Sequence, residues 1–284
     1  MAILPLNMTV NNQEKIACSV GILTFNSERT IREALESVKN FKEIIICDGG
    51  SNDKTLEVAG EYNAKIIFQD PKYKNSNNTI KDFSGVRNQC LEVSTQDWFV
   101  YIDSDEAVSL ELNEEIKKII KNKKETFLVY RVPNKLVIDG VAIKYSSSYP
   151  GFQYRFFNKK SGARFVKSIH ERIEFDKLKI KVGTLESPWL ILWDKEEVRE
   201  YFEHRENSIQ MEVLRNRNQN FFQFLYWSIG YNLITAAKIF LKAFKNYLFY
   251  GFSTNMPIQI EKARVFYHFK LIKALVKDRV KLYS

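Results

Sequence analysis

The sequence contains few cysteines, glycines and prolines. Its 284 residues include 3 Cys, 11 Gly and 6 Pro, whereas 45% of the residues are hydrophobic. This composition excludes collagen-like and low-complexity chains, and the apolar fraction excludes an intrinsically disordered one. Cys18, Cys47 and Cys90 have neither the number of a disulfide framework nor the spacing of a metal site. We therefore expect buried free thiols, and a protein of the reducing cytoplasm.

The sequence shows no signal-peptide pattern and no long hydrophobic run, so we expect neither a leader nor a membrane span. The first 15 residues have no basic start and only a short apolar run, unlike a signal peptide. The longest stretch without a charged residue, 218–237, contains seven polar side chains (Asn218, Gln219, Asn220, Gln223, Ser228, Asn232 and Thr235). A membrane-spanning helix tolerates few such groups, so we expect no span here.

Acidic residues are scarce in the last 47 residues. Residues 238–284 contain ten Lys and Arg against Glu261 and Asp278, so they carry 10 − 2 = +8 of the total charge of +9. The same region is rich in Phe, Tyr and Leu. Basic helices with a bulky apolar face bind anionic membrane surfaces, but they also pack on a neighbouring domain, and both readings stay open. No nucleic-acid-reading motif accompanies the charge, so we expect no nucleic acid partner.

Strand-like and helix-like segments alternate over the first hundred residues. Short apolar runs predict strands at 16–24, 43–47, 64–69 and 98–102. Between them, helical patterns begin with a cap at Asn26 or Ser27 and end near Val38, and recur at 53–62 and 80–93. This order predicts an α/β fold with a mostly parallel sheet and helices on both faces.

The second half has a different pattern. Short strands are predicted at 127–133, 136–144, 153–158 and 164–169, with a hairpin loop at 158–162. A charged helix is predicted at 195–217, and the basic aromatic region follows it. We therefore expect this half to differ in architecture from the first.

Acidic residues follow the fourth predicted strand directly. Asp103, Asp105 and Glu106 lie within four residues, with Ser104 among them. Carboxylates this close repel one another unless a cation compensates their charge. Oxygen ligands suit Mg²⁺ or Mn²⁺, which typically takes one or two carboxylates together with phosphate oxygens. Because ligands of parallel sheets bind beyond the carboxyl ends of the strands, the position fits such a site.

Four segments together resemble the family 2 glycosyltransferases of the GT-A fold. They read CSVGILTFNSERTIREALESV, EIIICDGGSNDKT, GVRNQC and WFVYIDSDE, and lie in the family's order between residues 16 and 106. The resemblance implies a GT-A, Rossmann-like sheet followed by a helical basic extension. It also implies inverting transfer of a sugar from a nucleotide donor, assisted by Mn²⁺ or Mg²⁺.

The resemblance also assigns residues of the donor site. Asp48 matches a residue that accepts a hydrogen bond from the base, Arg87 a basic residue near the base and phosphates, and Asp103 and Asp105 the Asp-X-Asp metal pair. One departure is Gly49, which stands where the family has a second acid. The full predicted donor set is Thr24, Phe25, Asn26, Glu28, Asp48, Arg87, Asp103 and Ser104.

Residues 149–175 resemble a narrower group, the lipopolysaccharide core β-1,4-glucosyltransferases. The matching positions are Arg155 and the pair His170-Glu171. An inverting transfer needs one base for the acceptor hydroxyl, and Glu171 is the candidate. His170 is a candidate metal ligand, and Arg155 and Glu106 are candidates for contact with acceptor or phosphate. A purely structural role remains open for each of three residues. His170 could be a hydrogen-bonded core histidine, Glu171 could form a surface salt bridge, and Arg155 could form an ion pair without a functional role.

The combined prediction is a glycosyltransferase on the inner face of the cell membrane. It moves one sugar from a nucleotide donor, with UDP expected, to a glycan or lipid-linked acceptor, and an anionic membrane surface binds residues 238–284. Residues 1–110 form the donor-binding half, 111–194 the acceptor-binding half and 195–284 the helical region. The alternatives are a sugar nucleotidyltransferase and a non-catalytic nucleotide-sugar-binding protein on the same fold.

Overall fold

The computed structural model describes residues 14–122, 127–168 and 171–283. The described residues divide into two compact units. The first comprises residues 14–132 and Gln153–Trp189, and the second comprises Pro133–Phe152 and residues 190–283. The three-part division expected from the sequence stays a prediction.

The strands alternate with helices in the first unit, whereas the second is mainly helical. The strands are β1 (Ile16–Thr24), β2 (Phe41–Asp48), β3 (Lys65–Phe68), β4 (Trp98–Asp103), β5 (Glu106–Val108), β6 (Val129–Ile138), β7 (Val141–Ala142), β8 (Phe152–Asn158), β9 (Arg164–Val166), β10 (Arg172–Glu174), β11 (Val182–Thr184) and β12 (Trp189–Trp193). The helices are α1 (Ile31–Val38), α2 (Thr55–Glu61), α3 (Phe83–Val93), α4 (Leu110–Lys121), α5 (Lys195–Arg215), α6 (Phe221–Gln223), α7 (Tyr231–Tyr250) and α8 (Ile258–Tyr283). A π-helical segment, Phe224–Gly230, joins α6 to α7.

In the sheet of the first unit, β1 lies between β2 and β4. The parallel strands follow the order β3, β2, β1, β4, and β8 pairs antiparallel with β4. Nearly every residue of β1 is buried, and successive side chains point to opposite faces, so both faces of the strand are covered. The predicted α/β fold with a mostly parallel sheet is therefore confirmed.

The register of β1 aligns the strand ends that matter for function. Leu23 lies opposite Cys47 on β2 and Asp103 on β4, and Thr24 lies opposite Asp48. Because these strands are parallel, their carboxyl ends and the loops that follow them meet at one edge of the sheet. This register brings the polar residues that follow β1, β2 and β4 to the same edge.

The buried core explains the apolar runs and the cysteines. The buried face of α1 consists of Ile31, Ala34, Leu35 and Val38, the stripe predicted from the sequence. The three cysteines are buried and free, as predicted. Burial raises the pKa of the Cys18 thiol, so this group stays neutral.

Three local predictions differ from the structure. Helix α1 begins at Ile31 rather than after Asn26, because residues 28–30 form a turn in which the carbonyl of Ser27 accepts hydrogen bonds from Thr30 and Ile31. Strand β6 runs through Pro133 instead of stopping there. The amide of Asn134 donates to Gly151 O at 2.8 Å, so proline removes only one hydrogen bond from the strand.

The predicted hairpin at residues 158–162 is also wrong. The segment does turn, with Gly162 at φ = 69°, a left-handed conformation that glycine adopts without strain. However, the strands on either side do not pair with each other. β8 pairs with β4, whereas β9 pairs with β10 in a separate two-stranded sheet.

The second unit is built around its long helices. Helix α5 begins with a capping box in which the Asp194 side chain accepts the amides of Glu196 and Glu197. Helices α7 and α8 pack against each other, and Ile260 and Met256 are buried with Ile143 in a small apolar cluster. None of the helices in the described part of the chain is both long enough and apolar enough to cross a bilayer.

Candidate active site

Asp48 fixes the loop that follows β2. Its Oδ1 accepts hydrogen bonds from Thr24 Oγ1 at 2.9 Å and Ser51 Oγ at 2.5 Å, and its Oδ2 accepts from the amides of Gly50 and Ser51 at 2.8 and 2.7 Å. The side chain is completely buried. These four bonds use the acceptor positions of a carboxylate. Contact of Asp48 with a base stays a prediction, and in this structure the carboxylate shapes the loop.

The predicted residues after β1 connect three loops at the sheet edge. Asn26 donates its amide to Ser51 Oγ at 2.8 Å and accepts the amide of Asn52 at 2.9 Å. Glu28 accepts the amide of Lys54 at 2.9 Å, so it holds the same loop. These contacts place Asn26 and Glu28 where they support the site.

A serine pair joins the β1 loop to the acidic turn after β4. Ser27 Oγ donates to Ser104 Oγ at 3.0 Å. The loops after β1, β2 and β4 are therefore held together by side chains that their own sequences supply.

Phe25 exposes an aromatic ring at this edge. Its side chain is 55% exposed, although it follows the buried Thr24. A Cβ atom added to Gly49 would lie only 3.0 Å from Phe25 Cδ2 and 3.3 Å from Gln69 Oε1. Glycine at position 49, where the family has an acid, thus leaves room for the ring of Phe25.

Arg87 bridges two carboxylates that are distant in sequence. From α3, its Nε donates to Glu171 Oε1 and its Nη2 to Asp103 Oδ1, both at 2.7 Å. The guanidinium is only 6% exposed and lies 4.8 Å from the centre of the Tyr101 ring. The structure therefore brings together the predicted donor-binding residues Arg87 and Asp103 with the predicted base Glu171.

The charge of Arg87 controls the ionisation of Asp103. Burial alone would raise the pKa of this carboxyl, but the positive charges of Arg87 and Arg155 outweigh it and hold the pKa below its ordinary value. Burial likewise opposes the charge of Arg87, but Asp103 and Glu171 raise its pKa. Asp103 is therefore ionised at neutral pH, as a metal ligand must be.

Arg155 and Glu106 form a buried ion pair beneath this site. Arg155 Nη1 and Nη2 donate to Glu106 Oε2 and Oε1 at 2.6 and 2.9 Å, and both residues are 5% exposed. Trp189 Nε1 also donates to Glu106 Oε1 at 3.0 Å. Glu106 Oε2 accepts the amide of Asp103 at 2.9 Å, so the pair holds the turn that carries Asp103. The predicted contact of these two residues with acceptor or phosphate stays a prediction, and the contacts seen here are structural.

The donor set at the acidic turn fits a divalent ion. Arg87 and Arg155 contribute +2 and the carboxylates of Asp103, Glu106 and Glu171 contribute −3, so these five side chains carry a net charge of −1. Within the described ranges no three ligand side chains form a complete metal site. Asp103 and Asp105 nevertheless match the one or two carboxylates that Mg²⁺ or Mn²⁺ takes when phosphate oxygens and water complete its shell. His170, the third predicted ligand, lies outside the described residues.

Sequence reasoning missed two residues at this edge. Gln69 follows β3, is 5% exposed, and donates through Nε2 to the carbonyl of Cys47 at 3.2 Å. Lys74 Nζ donates to the carbonyl of Gly49 at 2.6 Å. Gln69 was missed because the predicted third strand, 64–69, included it, whereas Lys74 lies in a loop that carries no motif.

Comparison with known proteins identifies the family. The model of glycosyl transferase family 2 matches residues 19–176, which is more than half of the chain. The chain belongs to glycosyl transferase family 2. The match covers the parallel sheet, the acidic turn and Glu171. The narrower resemblance to lipopolysaccharide core glucosyltransferases stays a prediction.

Several glycosyltransferases are similar over about half of the chain. The SPbeta prophage-derived glycosyltransferase SunS of Bacillus subtilis is 31% identical over 156 residues, which are 53% of this chain and 33% of that protein. An uncharacterized glycosyltransferase of Rickettsia typhi is 30% identical over 167 residues, or 56% of this chain and 53% of its own length. The chain thus spans between a third and about half of the length of these relatives.

The solved structures that are similar to this chain are more distant in sequence. Staphylococcus aureus TarS 1–349 in complex with UDP is 14% identical, covers 94% of this chain and 91% of its own, and gives a TM-score of 0.47. Glucosyl-3-phosphoglycerate synthase of Mycobacterium tuberculosis, with Mn²⁺, UDP and glucosyl-3-phosphoglycerate, is 19% identical, covers 43% of this chain and 44% of its own, and gives 0.30.

Proposed function

We propose that the chain is an inverting, metal-dependent glycosyltransferase that moves one sugar from a UDP donor. The observation that supports this most is the Asp103–Arg87–Glu171 bridge at the carboxyl edge of the sheet, where ligands of such sheets bind. It places a cation, a candidate metal ligand and a candidate base around one cleft edge. Family membership supports the same reaction class.

Different residues of the donor site would contact the base and the phosphates of UDP. The exposed ring of Phe25 offers a stacking face to the uracil, because any base has a π face. Arg87 faces the diphosphate as a charged donor of several hydrogen bonds. Asp103 and Asp105 would hold Mn²⁺ or Mg²⁺, which supplies charge neutralisation for the departing UDP when bound.

Glu171 is the proposed base. Among the described residues, the hydrogen bond from Arg87 engages Oε1 of Glu171, which leaves Oε2 to accept a proton. In the reaction, Glu171 takes the proton of the acceptor hydroxyl, and that oxygen attacks the anomeric carbon. The bond from this carbon to the diphosphate breaks, and UDP leaves with the electron pair. Configuration inverts because attack and departure are in line.

The proposed acceptor is a glycan or a lipid-linked sugar at the inner face of the membrane. The support is the basic and aromatic composition of residues 238–284, which suits an anionic membrane surface. Membership in the lipopolysaccharide core group would specify the acceptor further and is part of the same proposal. The alternative, a protein that binds nucleotide sugars without catalysis, is distinguished from the proposed enzyme by experiment.

Release of UDP from UDP-sugars in the presence of Mn²⁺ tests the proposal. UDP-glucose and UDP-N-acetylglucosamine should be screened first, with wild type and Asp105→Asn. Asp97→Asn is the matched control, because Asp97 is exposed and precedes the opposite end of β4. We expect release by wild type and the control and a loss of at least about a hundredfold in Asp105→Asn. Equal release by all three proteins would refute the metal role, and tight UDP binding without release would favour the non-catalytic alternative.

A further inference from the structure

The two long helices of the second unit expose almost no negative charge. Helices α7 and α8 contain only two acidic residues, Glu261 and Asp278. Glu261 is 4% exposed and accepts the amide of Ser147 at 2.8 Å, together with hydroxyl groups of the same loop. Asp278 accepts two hydrogen bonds from Arg217, at 2.7 and 3.0 Å. Both acids are therefore occupied, and the outer surface of these helices is left basic and apolar.

The exposed side chains of α8 form one stripe. At about 100° per residue they fall within an arc of about 140°, so they share one side of the helix. This stripe consists of Ile258, Gln259, Lys262, Phe266, Phe269, Lys270, Lys273, Val276, Lys277, Val280 and Lys281. Phenylalanine, valine and lysine thus alternate along the same exposed face.

Helix α7 has a matching exposed face. Its inner side is marked by the buried residues Asn232, Ala236, Ala243 and Asn246, which lie on one stripe of the helix. The side away from them carries exposed apolar residues and lysines: Ile234, Lys238, Phe240, Leu241, Phe244, Lys245 and Leu248. Large exposed apolar patches of this kind mark interaction sites.

A groove of about 410 Å³ joins the two faces. Phe240 and Phe244 line it from α7, and Ile258, Phe266 and Phe269 line it from α8. Lys262 and Glu261, whose carboxylate is held by the Ser147 loop, are the charged residues of the same groove. The walls are apolar and partly open to solvent, which suits a flexible hydrocarbon chain with an anionic group at its end.

We propose that this surface, the α7–α8 lipid face, docks on an anionic bilayer, with a lipid hydrocarbon chain in the groove and its phosphate near Lys262. The positive charge of the face favours an anionic bilayer over a second copy of the chain as its partner. Two copies of the face would bring lysines against lysines with no free carboxylate to pair them, whereas anionic headgroups complement every lysine. The proposal deepens the membrane expectation for residues 238–284 by assigning it to particular side chains and a groove. It does not depend on the chemistry of the donor site.

Sedimentation with vesicles tests the charge of the face. The probes are phosphatidylglycerol/phosphatidylcholine vesicles and pure phosphatidylcholine vesicles, used with the full chain and the double variant Lys262→Glu/Lys273→Glu. Lys177→Glu is the control, because Lys177 is exposed in the first unit. We expect the partition coefficient on anionic vesicles to fall about tenfold or more in the double variant and to stay unchanged in the control. Equal partitioning of all three proteins would overturn the proposal.

Fluorescence quenching tests the groove. Phe266→Trp should be quenched by anionic vesicles whose acyl chains carry bromine, relative to vesicles without it. Leu178→Trp, at a 98% exposed position in the first unit, should not be quenched beyond the wild-type level. Absence of quenching in Phe266→Trp would show that no acyl chain reaches the groove. A concentration-dependent dimer that is lost in Phe266→Ser without vesicles would instead identify the face as a self-association surface and contradict the proposal.

Binding of UDP with Mn²⁺ to the same variants separates this proposal from the proposed function. The substituted residues are in the second unit, so UDP binding should match wild type while vesicle binding falls. If wild type binds vesicles but not UDP, the proposed function fails and the lipid face stands.

Discussion

At the scale of single residues, the ion pair of Arg155 and Glu106 buries two charges that depend on each other for compensation. Burial raises the pKa of the Glu106 carboxyl although the charge of Arg155 opposes the shift, and two hydrogen bonds from Arg155 satisfy its oxygens. Removing one partner of a buried pair leaves the other charge uncompensated. We therefore expect Glu106→Gln to lower the free energy of unfolding by about 3 kcal/mol or more, measured by urea denaturation.

An exposed pair provides the control for this prediction. Arg32 also makes two hydrogen bonds to one carboxylate, that of Glu61, but both side chains are about half exposed. Water screens such pairs, so Glu61→Gln should leave the urea midpoint almost unchanged. Equal losses in the two variants would show that burial does not set the importance of the Arg155–Glu106 pair.

Phe25 provides a test of donor recognition by a single ring. Stacking of an aromatic side chain on a base is worth about 1–3 kcal/mol by alanine substitution. Phe25→Ala should therefore weaken UDP binding at least about fivefold in titration calorimetry, while Phe252→Ala, which removes a 71% exposed ring in the second unit, should not. Unchanged affinity in Phe25→Ala would remove this residue from the donor site.

Tyr247 gives a prediction in alkaline solution. Burial, together with the negative charge of Glu261, raises its pKa from 10.0 to about 12. The folded protein thus favours the neutral phenol, so this residue costs stability as pH rises from 10.0 towards 12. The difference in phenolate absorbance between wild type and Tyr247→Phe should titrate near 12. A difference that titrates at the ordinary value would contradict the burial of this phenol.

Candidate site residues could be named from the sequence, but their pairings could not. Asp48, Arg87 and Asp103 stand out because each belongs to a local motif. The bridge from Arg87 to Glu171 spans 84 residues, and Arg155 to Glu106 spans 49. No local pattern fixes such distances, because the pairs form only when the sheet assembles. For the same reason the sequence could not show that hydrogen bonds from Thr24 and the following loop engage both carboxylate oxygens of Asp48.

At the scale of elements, the boundaries follow hydrophobic periodicity wherever a segment is buried on both sides. Strand β1 spans the predicted residues, and β2 and β4 agree to within two residues at each end. The errors occur where a turn competes, as at residues 28–30 before α1, or where tertiary pairing outweighs a local signal, as at Pro133. The hairpin prediction was wrong because β8 pairs with β4, a strand distant in sequence, rather than with β9.

Helix α3 carries Arg87, and its packing gives a prediction at this scale. A Cβ atom on Gly85 would lie 2.3 Å from Cδ1 and Cε1 of Tyr73. The close approach of α3 to this ring therefore requires glycine at position 85. We expect Gly85→Ala to lower the free energy of unfolding by about 1–3 kcal/mol, measured by urea denaturation. The same variant should weaken UDP binding, because α3 positions Arg87.

Gly60→Ala is the matched control on another helix. A Cβ at Gly60 of α2 meets nothing within 4 Å, so alanine should stabilise the protein by about 0.5–1 kcal/mol through its better helix propensity. If Gly85→Ala were equally stabilising, the close approach of α3 to Tyr73 would not exist in solution.

At the scale of the whole molecule, the two units carry different chemistry. The first holds the family 2 sheet and the acidic turn, and the second holds the lysines and exposed phenylalanines of the α7–α8 lipid face. The uneven charge of the sequence anticipated the second feature, since +8 of +9 falls in residues 238–284. It could not identify the groove, because the groove needs the packing of α7 on α8.

Equilibrium binding of UDP with and without Mn²⁺ is the most direct test of the acidic turn as the diphosphate site. Titration calorimetry on the full chain should give binding with Mn²⁺ and a loss of about tenfold or more when the metal is chelated or when Asp105 is replaced by Asn, with Asp97→Asn unchanged. Affinity that is the same with the metal, without it and in Asp105→Asn would show that the acidic turn does not hold a metal-bound diphosphate.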